Sequence, residues 1–159
     1  MRADRAKQLL KNGVYRAIGE TVTGVGGLDG EAERTLRVLM YHKVNDLQPN
    51  ATTVPTPVFA EQMGLLDDLG YTPVSLDQVR DHYVDGAPLP AAAVLITFDD
   101  GYRDNLENAL PILQQRGYPA VIFVPIGFLD GDRPLPHEEA LRTLGVCNAT
   151  VGWDELEAL

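Results

Sequence analysis

The sequence predicts an α/β fold built on a parallel sheet, and three observations carry that expectation. Ala91-Ala92-Ala93-Val94-Leu95-Ile96-Thr97-Phe98 is almost wholly apolar and does not alternate, the pattern of a central strand covered on both faces. A helical stretch follows from Asp104 to Arg116, with Leu106, Ala109, Leu110 and Leu113 at helical spacing and a kink or restart at Pro111. Ala120-Val121-Ile122-Phe123-Val124 is then a second buried strand. Strand, helix and strand in this order form a βαβ unit, whose crossover commits its strands to lie parallel.

The elements before this unit can be read in order. Residues 1–34 are expected to be an N-terminal helix and a Gly-rich linker. Arg2, Arg5, Lys7, Lys11 and Arg16 mark the helix as a solvated one. Leu9-Leu10 is interrupted at once by Lys11-Asn12-Gly13, far short of the roughly 7–15 apolar residues of a secretory leader, so a cytoplasmic location is expected. Glycine is then concentrated between Thr21 and Gly30, where its backbone entropy disfavours any regular element. The folded domain is expected over residues 35–159. Its first strand, 35–42, is rich in β-formers and ends at Tyr41-His42. Thr56-Pro57 has the form of a helix cap and first turn, Phe59, Met63, Leu66 and Leu69 supply the buried face, and Gly70 the stop. Residues 72–74 form a brief strand, and Ser75-Leu76-Asp77-Gln78 has the capping-box form that opens a helix through Tyr83. Four strands are thus expected, at 35–42, 72–74, 93–98 and 120–124.

Composition excludes several classes. With 13 Lys and Arg against 23 Asp and Glu, the net charge is −10, opposite to what neutralising a phosphate backbone requires, so nucleic acid is not an expected partner. No apolar run reaches the roughly 18 residues of a bilayer-crossing helix. The one cysteine, Cys147, can close no intrachain disulfide and reads as small core filler.

Chemistry is concentrated in Thr97-Phe98-Asp99-Asp100-Gly101-Tyr102, which delivers two adjacent carboxylates where the buried strand emerges at its C-terminal end. Sites in parallel α/β folds lie at that end. On an extended backbone the two side chains point to opposite sides and flank the mouth. One carboxylate is then available to hold a divalent metal and the other to act as a general base. The plain alternative is a strand-ending turn, for which Asp and Gly are favoured residues. Position weighs against it, since an apolar strand is a poor carrier of idle charge.

These residues resemble the first motif of the NodB-homology polysaccharide deacetylases, carbohydrate esterase family 4-like. Leu39-Met40-Tyr41-His42-Lys43-Val44 resembles the opening strand of the branch acting on poly-N-acetylglucosamine, and Phe59 through Leu76 resembles the helix and short strand that follow it. The resemblance covers about residues 35–159. It implies a partial (β/α) barrel of the NodB type, truncated after about four strands. It also implies a metal-dependent hydrolase that removes N-acetyl groups from an aminosugar polysaccharide, with Asp99 as general base, Asp100 as metal ligand and a divalent cofactor, zinc first among the candidates.

The pattern departs from the family in one respect. No second motif of the form His-Ser/Thr-x-x-His/Ser occurs, and the family places it shortly after a segment like Val151-Gly152-Trp153-Asp154-Glu155. The chain therefore reads as an N-terminal portion, incomplete and inactive by itself. Among its three histidines, His42 follows the first strand and is a possible additional site residue, whereas His82 and His137 are expected on the surface, His137 in a Pro-rich, charged excursion. A non-catalytic carbohydrate-binding or degenerate remnant of the same fold is the alternative. Phosphoryl transfer fits less well, because Asp99-Asp100-Gly101 lacks an Asp-x-Asp spacing.

Overall fold

The computed structural model describes residues 35–47, 51–131, 134–143 and 145–157; the helix and linker expected over 1–34 lie outside the described residues. Its main sheet has four strands, β1 (Arg37–Tyr41), β4 (Thr72–Pro73), β5 (Ala93–Phe98) and β6 (Val121–Ile122), and every pairing is parallel. They are the four expected strands with trimmed ends. Every residue of β5 is buried, as its continuous apolar run requires. β1 pairs along β5 from Arg37↔Val94 to Tyr41↔Phe98. The carbonyls of Ala92 and Val94 accept from the β4 segment, and that of Phe98 from Phe123 beyond β6. These are alternate residues, so β4 and β6 share one edge of β5, while β1 occupies the other. Among the described residues the sheet does not close into a barrel.

A second sheet was not expected. β2 (Lys43–Val44) and β3 (Thr53–Val54) pair in parallel. Two residues per strand are too few for periodicity to register.

The helices follow local chemistry. α1 (Thr56–Asp68) starts one residue earlier than expected: Pro55, locked extended at φ −58°, takes the cap position, and Thr56 is already helical and makes no capping bond. α2 (Leu76–Asp85) opens with the expected box, Ser75 accepting from the Gln78 amide while the Gln78 side chain accepts from the Ser75 amide, and closes on left-handed Gly86. It runs two residues past Tyr83. After β5 the chain makes a π-helical turn (Asn105–Ala109) and restarts as α3 (Leu110–Arg116), with Pro111 in its first turn, where no amide is needed. The chain ends in two short helices, α4 (Glu139–Thr143) and α5 (Trp153–Glu157).

The core lies on the helix side of the sheet. Leu39, Tyr41, Val94, Ile96 and Phe98 pack there against Phe59, Met63 and Leu66 of α1 and against Ala109 and Leu113. Tyr41 meets the Phe59 ring edge-on at 5.0 Å, and its hydroxyl donates to Gln62 Oε1 at 3.0 Å. Burial pushes the Tyr41 phenol well above its ordinary pKa, so it stays a neutral donor. On the opposite face of β1, Val38 and Met40 are exposed. Continuing the register by one residue places His42 and Asp99 on this second face, beyond the Tyr41↔Phe98 pair.

Cys147 is exposed rather than core filler. It sits in an irregular stretch whose inward contacts are made by its neighbour Asn148.

Candidate active site at the C-terminal rim of the sheet

Asp99 and Asp100 stand directly beyond Phe98, at the C-terminal end of the central strand, with Thr97 and Phe98 buried within the sheet. Thr97 Oγ1 donates to the Leu39 carbonyl at 3.0 Å, and the Asp99 amide to the Tyr41 carbonyl at 2.8 Å, so the β1–β5 ladder reaches Asp99. There extended geometry stops. Asp100 has φ +69° and Gly101 φ +60°, two consecutive left-handed residues. The expectation that the carboxylates point to opposite sides of an extended backbone is corrected accordingly: the turn, not strand alternation, aims Asp100. Left-handed backbone costs a non-glycine residue about 1–2 kcal/mol, less for Asp, and such strain is concentrated at functional sites.

Gly101 is required twice over. A Cβ there would lie 2.7 Å from Val124 Cγ1, and its φ suits only glycine well. Gly101→Ala is expected to lose about 2–4 kcal/mol, from left-handed strain plus overpacking, measured as the shift of the urea midpoint. A midpoint within experimental error of the wild type would show that the turn relaxes at no cost.

Two histidines face Asp100. His42 Nε2 lies 3.9 Å and His137 Nε2 3.4 Å from Asp100 Oδ2. The sequence singled out His42 as a site residue and left His137 on the surface. His137 is indeed half exposed, yet its ring turns toward the acid. The reason is the segment's anchoring: Leu135 and Glu138 on either side are buried, so the Pro-rich excursion is pinned at both ends. His82 is remote, its Nδ1 meeting the Ala87 carbonyl at 2.7 Å beyond the end of α2.

A buried polar network that the sequence did not disclose holds this corner. Lys43 and Glu138 are ion-paired and almost wholly buried, 95 residues apart. Glu138 Oε1 also accepts from the Tyr102 hydroxyl at 3.1 Å, and Oε2 from Asn148 Nδ2 at 2.6 Å. Burial alone pushes the Glu138 carboxyl up, but hydrogen bonds from Lys43 and Asn148, the Lys43 charge and the Tyr102 bond outweigh it and hold the carboxyl below its ordinary value. The Lys43 ammonium also sits 5.1 Å from the Tyr102 ring centre. Burial, then the Glu138 and Asp100 charges, push the Tyr102 phenol far up, which keeps its proton in place. That hydroxyl lies 2.8 Å from His137 Nε2. Lys43, Glu138, Tyr102, His137 and Asp100 are thus connected in sequence.

A neighbouring cluster braces the turn after the acids. Asp104 accepts from the Val44 amide at 3.2 Å and from Asn45 Nδ2, and Asn108 Nδ2 donates to the Val44 carbonyl at 2.7 Å. Burial raises the Asp104 carboxyl in spite of these bonds. Farther along, Arg103 pairs with Glu155, while Gly152 and Trp153 donate their amides to Glu155 and Asp130. These contacts cap α5, whose five residues are too few to persist unaided.

Among the described residues, no three His, Cys, Asp or Glu side chains stand together as an ion-binding group. His137 Nε2, 3.4 Å from Asp100 Oδ2, is already engaged by the Tyr102 hydroxyl at 2.8 Å.

Comparison with known proteins places this geometry. The family profile described as polysaccharide deacetylase matches residues 86–157, a span that includes both acids and His137. The poly-beta-1,6-N-acetyl-D-glucosamine N-deacetylase of Escherichia coli (strain K12) is 40% identical over 91 residues, covering 56% of this chain and 13% of that protein. Bacillus subtilis (strain 168) YxkH is 33% identical over 114 residues, covering 72% of this chain and 40% of that one. The structure of IcaB from Ammonifex degensii superposes with a TM-score of 0.63 at 27% identity, over 77% of this chain and 47% of IcaB. A de-N-acetylase from Aggregatibacter actinomycetemcomitans superposes with the same TM-score at 28% identity, over 76% and 48%. The chain therefore spans less than half the length of each of these relatives. The profile-matched segment carries the acidic rim, and the chain is similar to part of the polysaccharide deacetylases.

Proposed function

We propose that this chain is part of a metal-dependent hydrolase that removes N-acetyl groups from an aminosugar polysaccharide. The observation that carries the reading is the pair Asp99 and Asp100 at the end of the central strand, both inside the family-matched segment, with histidine nitrogens around the second acid. Asp100 is the residue to hold the ion, and its mixed oxygen and nitrogen surroundings suit zinc. When bound, a divalent ion of this kind acts as a Lewis acid toward the acetamide carbonyl and makes water a stronger acid. Asp99 takes the proton from the attacking water, and the products are acetate and a free amine. His42, beside Asp99 and facing Asp100, orients the acid and donates toward oxygen atoms of the reacting group. The substrate is an N-acetylated polysaccharide or oligosaccharide.

The test is acetate release from an N-acetylglucosamine oligomer. A protein carrying the full length of the family domain is expected to release acetate in a chelator-sensitive manner. The 159-residue chain alone should release almost none, because Asp100 and one or two histidines fall short of three well-placed ligands. Chelator-resistant release by the full-length domain would sink the metal-dependent reading.

A further inference from the structure

A chain of hydrogen bonds runs from the buried ion pair to the rim. The Glu138 carboxylate, paired with Lys43, lies 3.1 Å from the Tyr102 hydroxyl, and that hydroxyl lies 2.8 Å from His137 Nε2. Tyr102 and Glu138 are buried, whereas the His137 side chain is half exposed. We propose that Tyr102 is a positioning residue: it fixes the uncharged His137 imidazole with its proton on Nε2, so that the Nδ1 lone pair stands at the rim as the acceptor for a hydroxyl group of the sugar substrate, which deepens the function proposed above and rests on it.

The direction of the chain follows from its acceptors. Tyr102 has one hydroxyl hydrogen and two acceptors in reach, His137 Nε2 and Glu138 Oε1. An ionised carboxylate is a stronger acceptor than a neutral imidazole nitrogen, so the hydrogen goes to Glu138 and the Tyr102 oxygen is left to accept from His137. Asp100 acts in the same sense. Its Oδ2 lies 3.4 Å from the same Nε2, and a carboxylate has no hydrogen to give, so a bare lone pair aimed at it would be repelled. The buried end of the chain is held as well, because Asn148 Nδ2 donates to the second Glu138 oxygen at 2.6 Å. Among the described residues the contacts of the His137 ring nitrogens are all made by Nε2, and Nδ1 has no partner. A half-exposed ring with one nitrogen committed inward and the other free is suited to receive a hydroxyl from a sugar bound beside Asp100.

The test has two readouts. In the purified 159-residue chain, at about pH 8 and so above the ordinary imidazole pKa of about 6.5, ¹⁵N NMR of the histidine side chains should show His137 with a protonated Nε2, a bare Nδ1 and an Nε2–H resonance protected from exchange with water. Tyr102→Phe removes only the hydroxyl and should lose that protection, with circular dichroism melting to show that the fold is kept. In a protein carrying the full length of the family domain, His137→Ala should raise KM for an N-acetylglucosamine oligomer about 2–10-fold, the weight of one hydrogen bond, and leave kcat within about twofold of the wild type, the pattern of lost uniform binding. Tyr102→Phe should raise KM in the same direction, and the double variant should be no worse than His137→Ala, because Tyr102 acts through the ring. His82→Ala should match the wild type. A proton on Nδ1 in the wild type, an Nε2–H equally protected in Tyr102→Phe, or an unchanged KM in His137→Ala would overturn the proposal while leaving the deacetylase reading intact. Absence of acetate release from the wild-type domain would overturn both.

Discussion

Asp99→Asn is expected to reduce acetate release by a full-length domain by about 10²–10⁴-fold, the usual contribution of a positioned general base. The amide keeps the shape of the carboxylate but cannot take a proton from water. Metal content should therefore be largely retained, and the defect should fall on kcat. Asp100→Asn should behave differently, losing metal first and activity in consequence. The two residues are adjacent in the chain but differently placed: Asp99 continues the ladder with β1, whereas Asp100 enters the left-handed turn toward the histidines. Parallel measurement of turnover and bound metal in both variants separates the roles. Equal metal loss in the two would mean that Asp99 is a ligand rather than a base.

The second large effect concerns stability. Lys43→Met is expected to cost about 3–5 kcal/mol, because it leaves the Glu138 carboxylate buried without its cation. The double variant Lys43→Met with Glu138→Leu should recover most of that loss, since removing both charges removes the unpaired one. Denaturant midpoints of the three proteins decide the matter, and a single variant as stable as the wild type would show that water solvates Glu138. The same pair sets a pH dependence. The Glu138 carboxyl is held below its ordinary value of 4.5, so its contribution is fully present above that pH and is lost as pH falls through the lower folded-state value. Melting temperatures of wild type and Glu138→Gln should consequently differ most near neutrality and converge under acid. A constant gap down to pH 3, about 1.5 units below the unperturbed carboxyl, would contradict the assigned direction.

The sequence by itself determined those parts whose physics is local or periodic. A short apolar run without alternation fits a strand covered on both faces, and β5 was legible to the residue, together with the acids at its end. The Ser75 box and the glycine stop at Gly70 were readable because a cap satisfies amides and carbonyls within a few residues of itself. The resemblance to the polysaccharide deacetylases was readable from a hexapeptide for the same reason. Only the tertiary structure decided what depends on distant parts of the chain. Nothing in the sequence pairs Lys43 with a partner, and that partner is 95 residues away. His137 was assigned by the polarity of its surroundings and Cys147 by its lack of a disulfide partner. The structure turned the first toward Asp100 because buried Leu135 and Glu138 hold its segment, and left the second exposed. Asp100 was expected to follow strand alternation, and two consecutive left-handed residues, Asp100 and Gly101, make a turn there instead. Local pattern thus specified where the acids emerge, and long-range burial of charge specified which groups meet them, because a buried ion must find its partner wherever the fold brings one.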